Sequence, residues 1–253
     1  MSFTICKNCN QKFEGNFCNN CGQSSHTHAI NFQYLVHELQ HGFFHVDKGM
    51  LFTLKELFTR PGDSIREFIE GKRVNHFKPV ISLVIILATI YGLLAHYFNI
   101  EVMDMSKINV SGNYNLFEDI LKIKNWISVH YVWISLVSIP IFSLGSFIAF
   151  RKQKYNFVEH IVLNTFLAGQ KLAIHITAFP IVYLIKATSY SDSLDKLLIL
   201  IDFVLVVWTY KYFFNQESKL RTTWLAILSY IIYIVLFTFL AIGTVAVFYL
   251  INH

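Results

Sequence analysis

The chain has 253 residues, 54% hydrophobic and 16% aromatic, with only 15% charged and a formal net charge of +5. A soluble domain carries roughly 25% charged residues, so this composition excludes a fully solvated globular protein, and its few basic residues form no stripe suited to nucleic acid. Residues 1–78 hold most of the turn residues and much of the charge, and the remainder breaks into apolar runs long enough to cross a bilayer. The expected fold class is therefore an all-α membrane protein with a polar N-terminal third.

Residues 1–22 are polar and cysteine-bearing, so no cleavable leader is expected there. All four cysteines fall in two C-x-x-C knuckles, CKNC (Cys6, Cys9) and CNNC (Cys18, Cys21), the second followed by Gly22. Two knuckles joined by a short loop suit a tetrahedral four-thiolate zinc ribbon, expected over 1–25. With only Phe3, Ile5, Phe13 and Phe17 as sizeable apolar residues, the segment needs a metal to fold, and a closed four-cysteine site leaves no position for substrate. The zinc is therefore read as structural.

Asn31 suits the N-cap of a helix running to about Val46, the first of the juxtamembrane helices expected over 31–76. At 100° per residue Phe32, Leu35, Val36, Leu39, Phe43 and Val46 share one side, and Tyr34, His37, Glu38, His41 and His45 the other. His37-Glu38-x-x-His41 has the H-E-x-x-H spacing of zinc peptidases, with Glu38 in the general-base position. His37 and His45 lie about 12 Å apart along the axis, so one metal cannot take all three histidines. A second metal site would draw on His37 with His41, or His41 with His45, and a further ligand from Asp47, Glu159 or His160. The alternative is a histidine-lined polar face on a helix lying against the bilayer.

Residues 50–59 suit a short helix stopped at Arg60-Pro61-Gly62. Ser64-x-x-Glu67 has capping-box spacing for a second helix ending at Gly71. Arg66, Lys72, Arg73 and Lys78 stand before the first apolar run, as an ordinary positive-inside anchor or as a site for an anionic lipid headgroup or phosphate. The succession C-x-x-C…C-x-x-C-G, then H-x-D-x-G (His45, Asp47, Gly49), then R-P-G…I-R-E-F-I-E-G-K-R, resembles an uncharacterised bacterial family of zinc-ribbon membrane proteins, a domain of unknown function. The resemblance covers residues 6 to about 98 and the Glu159-His160 pair. It implies the overall layout and a bacterial inner membrane, and it implies no activity.

Five transmembrane helices are expected, at 77–98, 127–150, 157–185, 196–214 and 224–251, making a five-span domain of 77–253. Lys and Arg concentrate before the first span, in Arg151, Lys152 and Lys154, and in Lys211, Lys219 and Arg221, while the opposite loops are mixed. That bias puts the N-terminus and its ribbon in the cytoplasm and the C-terminus outside. On the third span His160, Asn164, Lys171 and His175 fall on one face, and Asp202 of the fourth span offers a partner at similar depth. Either Lys171 and Asp202 fix how the two spans pack, or the stripe carries a proton, ion or small solute.

Three functions follow as expectations. The leading one is a binding or scaffold module that docks a cytoplasmic protein or a lipid headgroup. The others are transport along the stripe and a membrane-bound zinc hydrolase on His37, Glu38 and His41. Enzymatic activity is not required by the first two.

Overall fold

The computed structural model describes residues 3–25, 27, 29–34, 36, 49–77, 80–98, 126, 129–186, 188 and 190–252, with backbone alone for 245–252. The N-terminal ribbon contains β1 (Thr4–Ile5) and β2 (Lys12–Phe13), an antiparallel pair with Thr4 opposite Phe13 and Ile5 opposite Lys12. The helices follow in order: α1 (Gly49–Thr59), α2 (Pro61–Glu70), α3 (Val80–Tyr97), α4 (Tyr131–Ala149), α5 (Phe157–Ile185), α6 (Ser191–Phe213) and α7 (Lys219–Asn252). Among the described residues four helices are long and apolar enough to cross a membrane: α3, α4, α5 and the Lys219–Thr244 part of α7. The fold is thus mostly helical, with four candidate spans and a cysteine cluster at the N-terminal end. Helix α6 has the length, but Asp192, Asp195, Lys196, Asp202 and Lys211 dilute its apolar character.

The boundaries show which local signals act. Helix α5 starts at a capping box, with Asn156 Oδ1 accepting the Glu159 N–H and Glu159 Oε2 accepting the Asn156 N–H. Helix α2 does not start at Ser64 as its capping-box spacing suggested. It starts three residues earlier at Pro61, whose fixed φ suits the first helical turn, and Ser64 is buried inside the helix. The α2 stop is as read: Gly71 is left-handed at φ 111° and its N–H reaches the Glu67 and Phe68 carbonyls. The helix expected after Asn31 begins there, Asn31 Oδ1 accepting the Tyr34 N–H at 2.8 Å. Its continuation, with His37, Glu38, His41, His45 and Asp47, lies outside the described residues, as does Lys78.

The helices pack as a bundle in which α4 lies against α3, α5 and α7, α5 against α3, and α6 against α5 and α7. The register is uneven. Gly169, the thirteenth residue of α5, faces Leu83, the fourth of α3. Helix α5 therefore overhangs α3 by about nine residues, roughly 13 Å. The hairpin α1–α2 packs against α5 just past this overhang. Leu57, Ile65 and Phe68 are fully buried against it, Gln170 Nε2 donates to the Leu57 carbonyl at 2.8 Å, and Phe68 stacks edge-on against Phe166 at 5.1 Å. The hairpin tip meets the end of α6 so closely that a Cβ on Gly62 would collide with the backbone of Tyr212 and Phe213. Only glycine leaves room for that approach.

Candidate functional site

Each half of the ribbon repeats one backbone design. In CKNCNQ the Cys6 N–H donates to the Gln11 carbonyl and the Asn10 N–H to the Cys6 carbonyl, both at 2.9 Å. In CNNCGQ the Cys18 N–H donates to the Gln23 carbonyl and the Gly22 N–H to the Cys18 carbonyl, both at 2.8 Å. The pivots Asn10 and Gly22 are left-handed, at φ 60° and 73°, a conformation open to glycine and tolerated by asparagine. The sequence signal for Asn10 and the two glutamines is the C-x-N-C-[N/G]-Q repeat itself.

The two halves bring the four Sγ atoms within 4.8 Å of one another, and the Cys6–Cys21 and Cys9–Cys18 pairs each stand 3.5 Å apart. All four are free thiols. A tetrahedral thiolate site with bonds of about 2.3 Å has sulfur–sulfur edges of about 3.8 Å, so the cluster fits a metal ion. Burial pushes the Cys6 thiol up to about 11. The Gln11 N–H, with the Asn20 side chain, holds Cys9 down to about 6. A bound cation would draw all four to thiolates and release their protons. Among the described residues this is the one cluster of three or more such ligand groups.

Arg66, Lys72 and Arg73, before the first candidate span, have partners within the chain. Arg66 donates to the Tyr212 carbonyl at 2.5 Å and the Phe213 carbonyl at 3.1 Å, closing the end of α6, and pairs with Asp63. Arg73 is 4% exposed. Its guanidinium donates to the Phe68 and Ile69 carbonyls at the end of α2 and lies 4.5 Å from the Tyr34 ring and 5.3 Å from the Phe68 ring. Lys72 pairs with Glu67 at 3.1 Å. Burial works against the Glu67 charge, but hydrogen bonds from Arg60 and Lys72 outweigh it and hold the carboxyl below its ordinary value.

The stripe on α5 divides into two sites. Near the ribbon, the Tyr210 hydroxyl of α6 donates to Asn164 Oδ1 at 2.7 Å. Asn164 Nδ2 lies 3.0 Å from Ser146 Oγ, 3.2 Å from Ser143 Oγ and 2.9 Å from the His160 carbonyl. Ser146 donates to the Ser143 carbonyl at 3.0 Å and stands 2.9 Å from His160 Nδ1. His160 Nε2 is buried with no hydrogen-bond partner among the described residues, beside the rings of Phe147 and Phe214. Glu159 beside it is occupied as the cap of α5.

Farther along, Lys171 stands at the midpoint of α5 and Asp202 at the midpoint of α6. Asp202 contacts His175, whose Nε2 lies 3.3 Å and 3.4 Å from the two carboxylate oxygens. The Lys171 ammonium faces the rings of Phe142 and Tyr230 at 5.4 Å and 5.9 Å. The Tyr91 ring of α3 sits edge-on to His175 at 5.9 Å and 5.2 Å from Tyr131 of α4. On the other side of Lys171, the Tyr230 ring of α7 stands 6.2 Å from that of Tyr233. All five long helices thus contribute a polar group to one cluster. The phenols were invisible as site residues in the sequence, because tyrosines in apolar runs read as lipid-facing or interfacial.

Residues 47–92 match the model of a family described as a protein of unknown function, DUF3667. The matched stretch takes in α1, α2 and most of α3, the hairpin and the first candidate span. No curated protein and no solved structure matches the chain.

Proposed function

We propose that the chain is a five-span protein of the bacterial inner membrane that moves protons, or a small solute with them, past Lys171, His175 and Asp202. In this reading α6 also crosses the membrane, as the fourth of the five spans, the N-terminus is cytoplasmic and the C-terminus outside. The zinc ribbon of Cys6, Cys9, Cys18 and Cys21 is a structural part of the cytoplasmic face. The observation that carries the reading is a run of contacts across five helices: Asp202 of α6 meets His175 of α5, His175 meets Tyr91 of α3, Tyr91 meets Tyr131 of α4, and Lys171 of α5 faces Tyr230 of α7. Ionisable side chains inside a membrane are costly and rare unless they serve a pathway. A histidine–carboxylate contact beside phenols gives a proton successive acceptors.

The test is proton movement into liposomes that contain the purified protein and a trapped pH dye, under an imposed potassium diffusion potential. Wild type acidifies the lumen, and Asp202→Asn abolishes it. Equal rates for wild type, Asp202→Asn and protein-free liposomes remove the proposal.

The docking reading keeps one observation of its own: Phe3, Ile5 and Phe17 of the ribbon are exposed, as a surface for a cytoplasmic protein would have them. Headgroup binding at Arg66, Lys72 and Arg73 competes with the carbonyls and carboxylate those side chains already hold. It would therefore rest on Lys78. A hydrolase would rest on His37, Glu38 and His41, with a second metal.

A further inference from the structure

Both ribbon knuckles end against one place, the joint between α2 and α3. From the first knuckle, Lys7 lies over Gly71, where a Cβ would meet the lysine Cδ at 2.9 Å. The Lys7 ammonium donates to the Thr27 carbonyl at 3.2 Å. From the second, the Gln23 side chain is 4% exposed and its Oε1 accepts the Arg73 backbone N–H at 3.2 Å. The same residue's carbonyl holds the Cys18 N–H at 2.8 Å. Gln23 thus touches a metal ligand with its backbone and the membrane entry with its side chain.

Among the described residues, the contacts between the two halves centre on the cysteines themselves, Asn20 reaching Cys9. The strand pair β1–β2 belongs to the first knuckle and the Phe17–Ser24 bridge to the second. The buried core they share is Cys6, Phe13 and Cys18, two of which are ligands. So small an apolar core cannot by itself hold two hairpins in register. A metal on all four sulfurs is the tie between them.

We infer that the metal in the four-cysteine site locks the α2–α3 joint through Gln23, so that metal loss frees the Arg73 backbone and the entry to the first span. The inference rests on the metal reading of the cysteines. Gln23 is a positioning residue: it binds no metal itself and passes the ribbon's order to Arg73. Because Arg73 closes the end of α2 and α2 closes the end of α6, the ribbon's metal content reaches the bundle through two successive helix ends.

The experiment is hydrogen exchange of the full chain in detergent, followed in peptides spanning 70–77, with metal content measured on the same samples. The Arg73 amide should exchange slowly in metal-loaded protein and at least about tenfold faster after chelation, the loss of one net hydrogen bond. Gln23→Leu should show the fast exchange while keeping its metal, and Gln23→Glu, which retains an acceptor oxygen, should restore slow exchange. Metal that leaves without changing exchange in 70–77 overturns the coupling and spares the metal site. Wild-type protein that binds no metal overturns both. Slow exchange in Gln23→Leu also overturns the coupling, because it gives Arg73 another acceptor.

Discussion

Two polar regions lie along one face of α5, and they are built differently. Near the ribbon, His160, Asn164, Ser143, Ser146 and Tyr210 form neutral hydrogen bonds of 2.7–3.2 Å. Farther on, Lys171, His175 and Asp202 are ionisable, their closest contact is 3.3 Å, and the lysine faces rings rather than a carboxylate. Short, saturated contacts hold helices in place, because breaking one leaves several buried groups without partners. Longer contacts among ionisable groups hold less and change more readily with protonation. The difference separates a structural half of α5 from a half suited to chemistry.

The largest expected effect lies in the saturated half. Asn164→Leu takes away the acceptor of the Tyr210 hydroxyl and the amide donor beside Ser143 and Ser146, and should cost about 2–3 kcal/mol. Thermal unfolding in detergent reads it. A loss below about 0.5 kcal/mol would mean the network does not hold α4, α5 and α6 together. Lys171→Met should behave oppositely, changing stability by under about 1 kcal/mol or raising it, since an apolar chain of similar length replaces a buried cation. Proton flux should fall in the same variant. A destabilisation above about 2 kcal/mol would make Lys171 a packing residue and erase the contrast.

The smallest effect tests whether charge matters at the ribbon end at all. Glu67 has its carboxyl held below the ordinary value of 4.5. Its contribution is therefore fully present above that pH and is lost as pH falls through the lower folded value. The side chain is 28% exposed, so screening limits the contribution to a few tenths of a kcal/mol. Unfolding midpoints of wild type and Glu67→Gln should differ slightly near neutral pH and converge in acid. A gap that widens as pH drops would reverse the assignment.

Local signals were legible and distant ones were not. The cysteine knuckles and the stop at Gly71 could be read from neighbouring residues, because turns and ligand spacings act within a few positions, and the ends of α5 could be read from the bounds of its apolar run. Glu159 was read as a ligand candidate although N-x-x-E spacing already offered a cap. Arg66 and Arg73 looked like free cations before a membrane, since nothing within a few residues announces that one closes α6 and the other α2. Gly62 likewise looked like turn chemistry, whereas its hydrogen is needed by a backbone far along the chain. The stripe read as continuous because a helical wheel reports direction but not partners. What separates its halves is the serines of α4 and the tyrosines of α3, α4, α6 and α7.

The clasp of α2 on α6 also imposes a schedule. Arg66 and the Tyr212 carbonyl it holds are 146 residues apart. At roughly 5–20 residues per second of synthesis, the hairpin leaves the ribosome about 7–30 s before its dock exists. Until α5 and then α6 have been made, Ile65 and Phe68, buried in the finished protein, lack the helices that cover them. The newborn N-terminal segment must wait with its apolar face on the bilayer or on a chaperone. The segment made first is therefore among the last to find its place.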